Sequence, residues 1–191
     1  MKHFIVAVAV GLVLFGATAS QACVGKTLFI GITGSSQEQL LAELVSVLVT
    51  ERTGTTVKVV PYKDSRQLYG ALKQGQVNLV IENTDRGFDM LGQRREAPGK
   101  SAYETLKAEY RKSLHLVWLE PFGFVGTGST HEFYAPVLSM DTINSLPALP
   151  KLLQKLAGVA SDASFARLSR STRGEITAKA ARDYLKSRKM I

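Results

Sequence analysis

The sequence predicts an α/β fold: a doubly wound, mainly parallel sheet followed by C-terminal helices. Three observations carry this expectation. Short apolar runs alternate with stretches of helical periodicity between Thr27 and Ile81. Glycine follows each of the two helical stretches, at Gly54 and Gly75. The chain of 191 residues is 45% apolar and 21% charged, ordinary globular composition for about one domain.

The elements follow in order. Thr27 to Ile32 is a short apolar strand. Ser35 to Glu38 has the form of a capping box, with Ser at the N-cap and Glu three residues on. Leu40, Leu41, Leu44, Val45 and Leu48 recur behind it at helical spacing, so Ser36 to Arg52 is a predicted helix. Val57 to Val60 is a second strand, Ser65 to Gln74 a second helix, and Val77 to Ile81 a third strand. Strand–helix–strand–helix–strand within about 55 residues is the sequence form of a parallel sheet with crossover helices. Gly87 to Lys100 is polar and predicted irregular; Ala102 to Lys112 is a helix and Leu114 to Leu119 a strand. Gly123 to Thr130 is a small-residue loop, and Phe133 to Leu138 is extended. Helices at Leu149 to Ala157, Ala163 to Ser169 and Glu175 to Ser187 close the chain. No internal repeat is evident.

Residues 1–22 read as a secretory signal: Lys2, an apolar run from Phe4 to Phe15, then small residues at Ala17, Ala19, Ser20 and Ala22. The run is too short for a spanning helix; an uncleaved anchor is the alternative. Cys23 follows directly and is either a lipidated N-terminus or an unpaired cysteine, since the chain has one cysteine. Residues 23–191 then form one exported unit, periplasmic or otherwise in the cell envelope.

The net charge of +8 invites a nucleic-acid reading that its distribution does not support. Cys23 to Asp162 holds 15 basic and 14 acidic residues, whereas Ala163 to Ile191 holds 8 and 2. The excess is a tail property with no interleaved aromatics beyond Phe165 and Tyr184, no zinc pattern and no recognition-helix pattern, so it is either a solvated basic face or a patch for anionic lipid or an acidic partner.

Catalytic patterns are missing. Outside the leader only His115 and His131 remain, with His115 beside an apolar strand and read as packed or at an edge. No metalloprotease, nucleophile-elbow or Walker pattern occurs. Gly31-Ile32-Thr33-Gly34 lacks the third glycine of a dinucleotide loop. No enzyme, cofactor or metal is expected. Ligands of doubly wound sheets sit beyond the carboxyl ends of the strands. That places any site on Thr33 to Ser36, Pro61 to Ser65, and Glu82 to Arg86.

Those loops carry a family resemblance. Gly31 to Leu41, with Ala42-Glu43-Leu44 behind, resembles the Gly-Ser-Lys-Asn-Phe-Thr-Glu-Gln-Ile-Leu opening of glycine betaine and choline (osmoprotectant) binding proteins of ABC importers. Thr53-Gly54, Lys63-Asp64-Ser65 and Ala71-Leu72-Lys73-Gln74-Gly75 resemble that family's next segments, and Glu82 to Arg86 stands at its Glu-Tyr-Thr-Gly-Thr. Its Trp-Leu-x-Pro-x-Gly-Phe is intact as Trp118 to Phe124, and Ala135 to Leu138 and Ala180 to Leu185 are also similar. The resemblance implies a periplasmic-binding-protein-like (type II) fold, a small zwitterionic or quaternary-ammonium ligand, and a membrane permease as partner. It places the ligand-binding residues at Thr33, Gly34, Ser35, Ser36, Glu38, Ser65, Asn83, Thr84, Asp85, Arg86 and Phe122.

Two departures qualify it. Gly123-Phe124-Val125 runs through Gly126 to Thr130 straight into the returning segment, so the family's second lobe is expected to be missing and only half a pocket to remain. The aromatic cage that holds a quaternary ammonium is also depleted: the family's Tyr residues are Asn83 and Gly128, its helix-opening Gln is Glu38, and its second Thr is Arg86. Tyr62, Trp118 and Phe122 remain as aromatics, with Trp118 read as core. Two functions fit: a reduced solute-binding protein with weak or altered binding, or a non-transporting envelope protein that uses the lobe to bind a protein partner or a second copy as a homodimer.

Overall fold

A computed structural model describes residues 26–94, 99–125, 132–171 and 177–191. The expected signal peptide, Cys23, residues 126–130 of the small-residue loop and the start of the last predicted helix lie outside them.

Six strands form one sheet in the order β2-β1-β3-β6-β4. They are β1 (Thr27–Ile32), β2 (Thr56–Pro61), β3 (Leu79–Asn83), β4 (Leu116–Trp118), β5 (Gly123–Val125) and β6 (Glu132–Ser139). β1 pairs in parallel with β2 and β3, and β6 runs antiparallel to β3, β4 and β5. Five strands therefore point one way and β6 the other. β4 and β5 share one edge of β6, opposite Val137–Ser139 and Glu132–Tyr134 respectively. Pro136 sits where the chain steps between them and its carbonyl accepts the Leu119 N–H, so its missing donor falls in the gap between the two short strands.

Strand alternation assigns two cores. Leu28, Ile30, Ile32, Leu79, Ile81 and Leu138 face helix α1 (Ser36–Thr53) and the C-terminal helices. Val80, Leu116, Trp118, Ala135 and Val137 face the other side, with Leu68, Leu72, Phe88 and Leu106 of α2 (Ser65–Lys73), α3 (Thr84–Met90) and α4 (Gly99–Glu109). Helices cover both faces, which is the doubly wound arrangement the sequence predicts. At Gly31 any Cβ would lie 2.4 Å from Leu68 Cδ1, so the glycine is what lets α2 lie against β1.

Four expectations need correction. β3 begins two residues later than predicted and runs through Glu82 and Asn83, so those residues are strand rather than loop. The stretch from Gly87 is not irregular: Asn83 caps α3 by accepting the Arg86 N–H at 2.9 Å, and the exposed Asp85 and Asp89 hid a short helix whose inner face is Thr84, Gly87 and Phe88. The strand predicted from Leu114 is only Leu116–Trp118, because Tyr110–Leu114 forms a π-helical turn closed by His115 with φ 56°; of the two readings of His115, packed or at an edge, the structure has it exposed beside the edge strand β4. Gly123–Val125, read as loop, is strand β5. A helix the sequence reading passed over, α5 (Met140–Ser145), follows β6 directly, with Ser139 as its N-cap. Then come α6 (Leu149–Leu153), two 3-10 turns (Gln154–Leu156 and Val159–Ser161), α7 (Ala163–Ser171) and α8 (Ala178–Ser187). No helix among the described residues is long and apolar enough to cross a membrane.

Candidate functional site

The carboxyl ends of β1 and β3 lie side by side because those strands pair in parallel. Each feeds directly into a helix, and the two short turns bring Thr33, Glu38, Glu82 and Arg86 together.

Ser35 caps α1, its Oγ accepting the Glu38 N–H at 3.2 Å, as the sequence predicts. The other half of the capping box is altered. Instead of returning to the cap residue, the Glu38 carboxylate accepts the Thr33 N–H at 2.6 Å, the Gly34 N–H at 3.3 Å and the Thr33 hydroxyl at 3.0 Å. It also meets Arg86 Nη1 at 2.5 Å. Arg86 is held on three more sides: Nε donates to Glu82 Oε1 at 2.5 Å, Nη1 to Thr33 Oγ1 at 2.6 Å, and Nη2 to the Ile81 carbonyl at 2.5 Å. Burial disfavours the guanidinium charge, but Glu82 and Glu38 more than offset it and hold the group above its ordinary range.

Glu82 is fully buried. Oε1 also accepts the Asn83 N–H at 2.7 Å, while Oε2 accepts the Tyr69 hydroxyl at 2.5 Å. Tyr69 and Tyr110 hydroxyls are 2.8 Å apart, and Tyr110 reaches the Gly87 carbonyl at 3.0 Å. Burial raises the Glu82 carboxyl above the usual carboxylate range, even with Arg86 and Tyr69 pulling the other way. Burial, then the Glu82 charge, raises Tyr69 well above an ordinary phenol. Tyr134 is raised as well, first by burial and then by Glu132.

The structure thus brings Thr33, Gly34, Ser35, Glu38, Asn83 and Arg86 into one hydrogen-bonded group. Thr84 is buried beneath it, its Oγ1 accepting the Phe133 N–H at 3.3 Å. Ser36 and Asp85 are exposed on the outer faces of α1 and α3, and Ser65 is half-buried at the start of α2. Phe122 lies in the apolar core with no exposed surface, its N–H donating to the Tyr134 carbonyl at 2.8 Å. Trp118 is core, packed edge-on against Tyr103 and Tyr110. Gly128 lies outside the described residues. The sequence reading named Glu82 only as part of a loop and missed Tyr69 and Tyr110. A carboxylate ending an apolar strand is the one signal that pointed to Glu82; the tyrosines sit at helical core positions and carry none. No group of three His, Cys, Asp or Glu among the described residues could hold a metal ion.

Residues 26–131 match the family model for the substrate binding domain of the ABC-type glycine betaine transport system. Among curated proteins no match was found. The fold is similar to the crystal structure of a glycine betaine/carnitine/choline ABC transporter, with a TM-score of 0.71 at 12% identity over 86% of this chain and 98% of that one. It is also similar to apo YehZ from Escherichia coli, with a TM-score of 0.70 at 14% identity over 87% of this chain and all of that one. At these identities the solved structures speak for the fold, and the family match speaks for descent. The chain belongs to the family of substrate-binding domains of ABC-type glycine betaine transport systems.

Proposed function

We propose that the chain is the extracytoplasmic solute-binding component of an ABC importer, reduced to one lobe, which meets a membrane permease and holds a small zwitterion weakly. The single observation that carries the altered ligand is Arg86, whose guanidinium already occupies the point where the β1 and β3 turns converge. A quaternary ammonium entering there would compete with a cation tethered to the chain and bonded on four sides. Two carboxylates against one guanidinium leave the group one negative charge in excess when Glu82 is ionised, so some attraction for an ammonium end remains. The first turn of α1 offers backbone N–H groups to a carboxylate end. One thing supports a single lobe: among the described residues one sheet has both of its faces covered by helices.

The test is calorimetric titration of the folded protein with glycine betaine, choline, carnitine and proline. The expected result is weak binding, with a dissociation constant of about 100 μM or above. Sub-micromolar binding of betaine or choline would overturn the weak-binding reading. No heat from any of the four would overturn solute binding itself and favour the protein-interaction scaffold.

A further inference from the structure

A pocket of about 300 Å³ opens at the far end of the sheet from Thr33. Leu28 of β1, Val49 of α1, and Leu149 and Leu152 of α6 form its walls. Three cations line its mouth: Arg52, Lys151 and Lys155, all of them exposed. No carboxylate lines it among the described residues. Arg52 is fixed in place, Nε and Nη2 donating to the Met190 carbonyl at 3.0 and 2.7 Å. Lys151 and Lys155 are four residues apart across α6 and the 3-10 turn after it, so they project on the same side.

We infer that this pocket binds a single-chain anionic amphiphile, with the acyl chain between the leucines and a carboxylate among Arg52, Lys151 and Lys155. The walls are mostly carbon, and Thr53, which also lines the pocket, bonds back to the Val49 carbonyl and to Thr55, so the interior favours an apolar occupant over water. The one-signed rim selects the head group: an anion gains there, whereas a cationic head is repelled. Volume sets the length. A cavity of about 150 Å³ takes benzene, so this one takes a chain on the order of ten to twelve carbons. The site is independent of the solute reading above, since it shares no residue with the Glu38–Arg86 group.

The experiment is displacement of an environment-sensitive anionic dye from the full chain by hexanoate, octanoate, decanoate and dodecanoate, with decanol and decyltrimethylammonium as head-group controls. Affinity is expected to rise by up to about fourfold per methylene until the pocket is full, and then to level off. Decanoate is expected to bind at least tenfold more tightly than decyltrimethylammonium. Lys151→Glu with Lys155→Glu changes two exposed side chains and is expected to narrow or reverse that preference with an unchanged melting temperature. Leu152→Trp, which fills the pocket from a half-buried wall, is expected to remove binding of both. No rise with chain length, or a head-group preference that survives the double charge reversal, overturns the inference. Binding to phosphatidylglycerol vesicles with none to monomeric decanoate overturns it too, since the source would then be a membrane surface.

Discussion

Removing the Arg86 guanidinium is the most direct test of what holds the site together. Arg86→Met keeps the length of the side chain and deletes its charge and donors. The Arg86 side chain is 12% exposed, and those of Glu38 and Glu82 are 2% and 0% exposed. The pairs therefore belong with buried ion pairs, for which loss of one partner costs about 3 to 5 kcal/mol, and not with surface pairs worth about 0 to 1. Glu38 keeps the Thr33 and Gly34 donors, and Glu82 keeps Tyr69 and Asn83, so the low end, about 3 kcal/mol at pH 7, is the expected cost. The assay is urea unfolding followed by the fluorescence of Trp118, the single tryptophan, which is buried.

The pH dependence adds a second reading. The folded-state pKa of Glu82 is raised, so its contribution to stability is fully present below the ordinary carboxylate value of 4.5 and is lost as pH rises through the folded value. Arg86 opposes that rise, so its removal moves the folded value further up. The deficit of Arg86→Met should therefore be larger at pH 7 than at pH 5. Glu38→Gln should cost less in the Arg86→Met background than alone, because it then removes an orphaned charge. A variant within about 1 kcal/mol of the parent at pH 7 would refute the reasoning, because that is the scale of a surface pair. So would an equal deficit at both pH values.

Three further outcomes are expected. Gly87→Ala puts a Cβ 2.9 Å from both Leu106 Cδ1 and Trp118 Cζ2, and should cost about 1 to 3 kcal/mol in urea unfolding with a shift in Trp118 emission. Ser35→Ala removes the α1 cap and should cost about 1 kcal/mol, read as a lowered urea midpoint at unchanged slope. Asn83→Tyr restores one aromatic at the site but should not create tight betaine binding, since Arg86 still fills the convergence point and the facing wall is absent in the proposed one-lobe form. Micromolar binding by that variant in a calorimetric titration would count against both parts of that account.

Much of the fold is legible in the sequence because local and global signals agree. β1 and α1 follow an uninterrupted apolar run, a serine cap and a C-terminal glycine, and Ser35 and Gly54 act as their residue types predict. Disagreement begins where polarity and burial part company. α3 is seven residues long with two exposed aspartates, so its composition reads as loop, and only the Asn83 cap and the buried Phe88 make it a helix. β4 shortens because Tyr110–Leu114 takes a π turn that no periodicity announces. Of the three strand-end turns that the sequence singles out, those after β1 and β3 hold the Glu38–Arg86 group. Their internal chemistry was not legible, because it depends on a contact between residues 38 and 86, which are 48 positions apart. The pocket beside Leu28 was illegible for a similar reason: its walls come from β1, α1 and the segment around α6.

That long-range contact changes how the departures from the family pattern are understood. Read along the chain, Glu in place of Gln at position 38 and Arg in place of Thr at position 86 look like two separate losses of ligand chemistry. In the folded protein they are the two ends of one ion pair. Glu38 without Arg86 would set a second buried carboxylate near Glu82 with no cation between them, which is costly, whereas Arg86 pairs with both and Thr33 bonds to each end of the Glu38–Arg86 pair. The pair also uses Glu82, which the resemblance shares with the family, as its second carboxylate. In this chain α3 supplies the cation, Arg86, that meets both Glu38 and Glu82. Any solute that binds there, as proposed above, must add to an ion pair that is already closed.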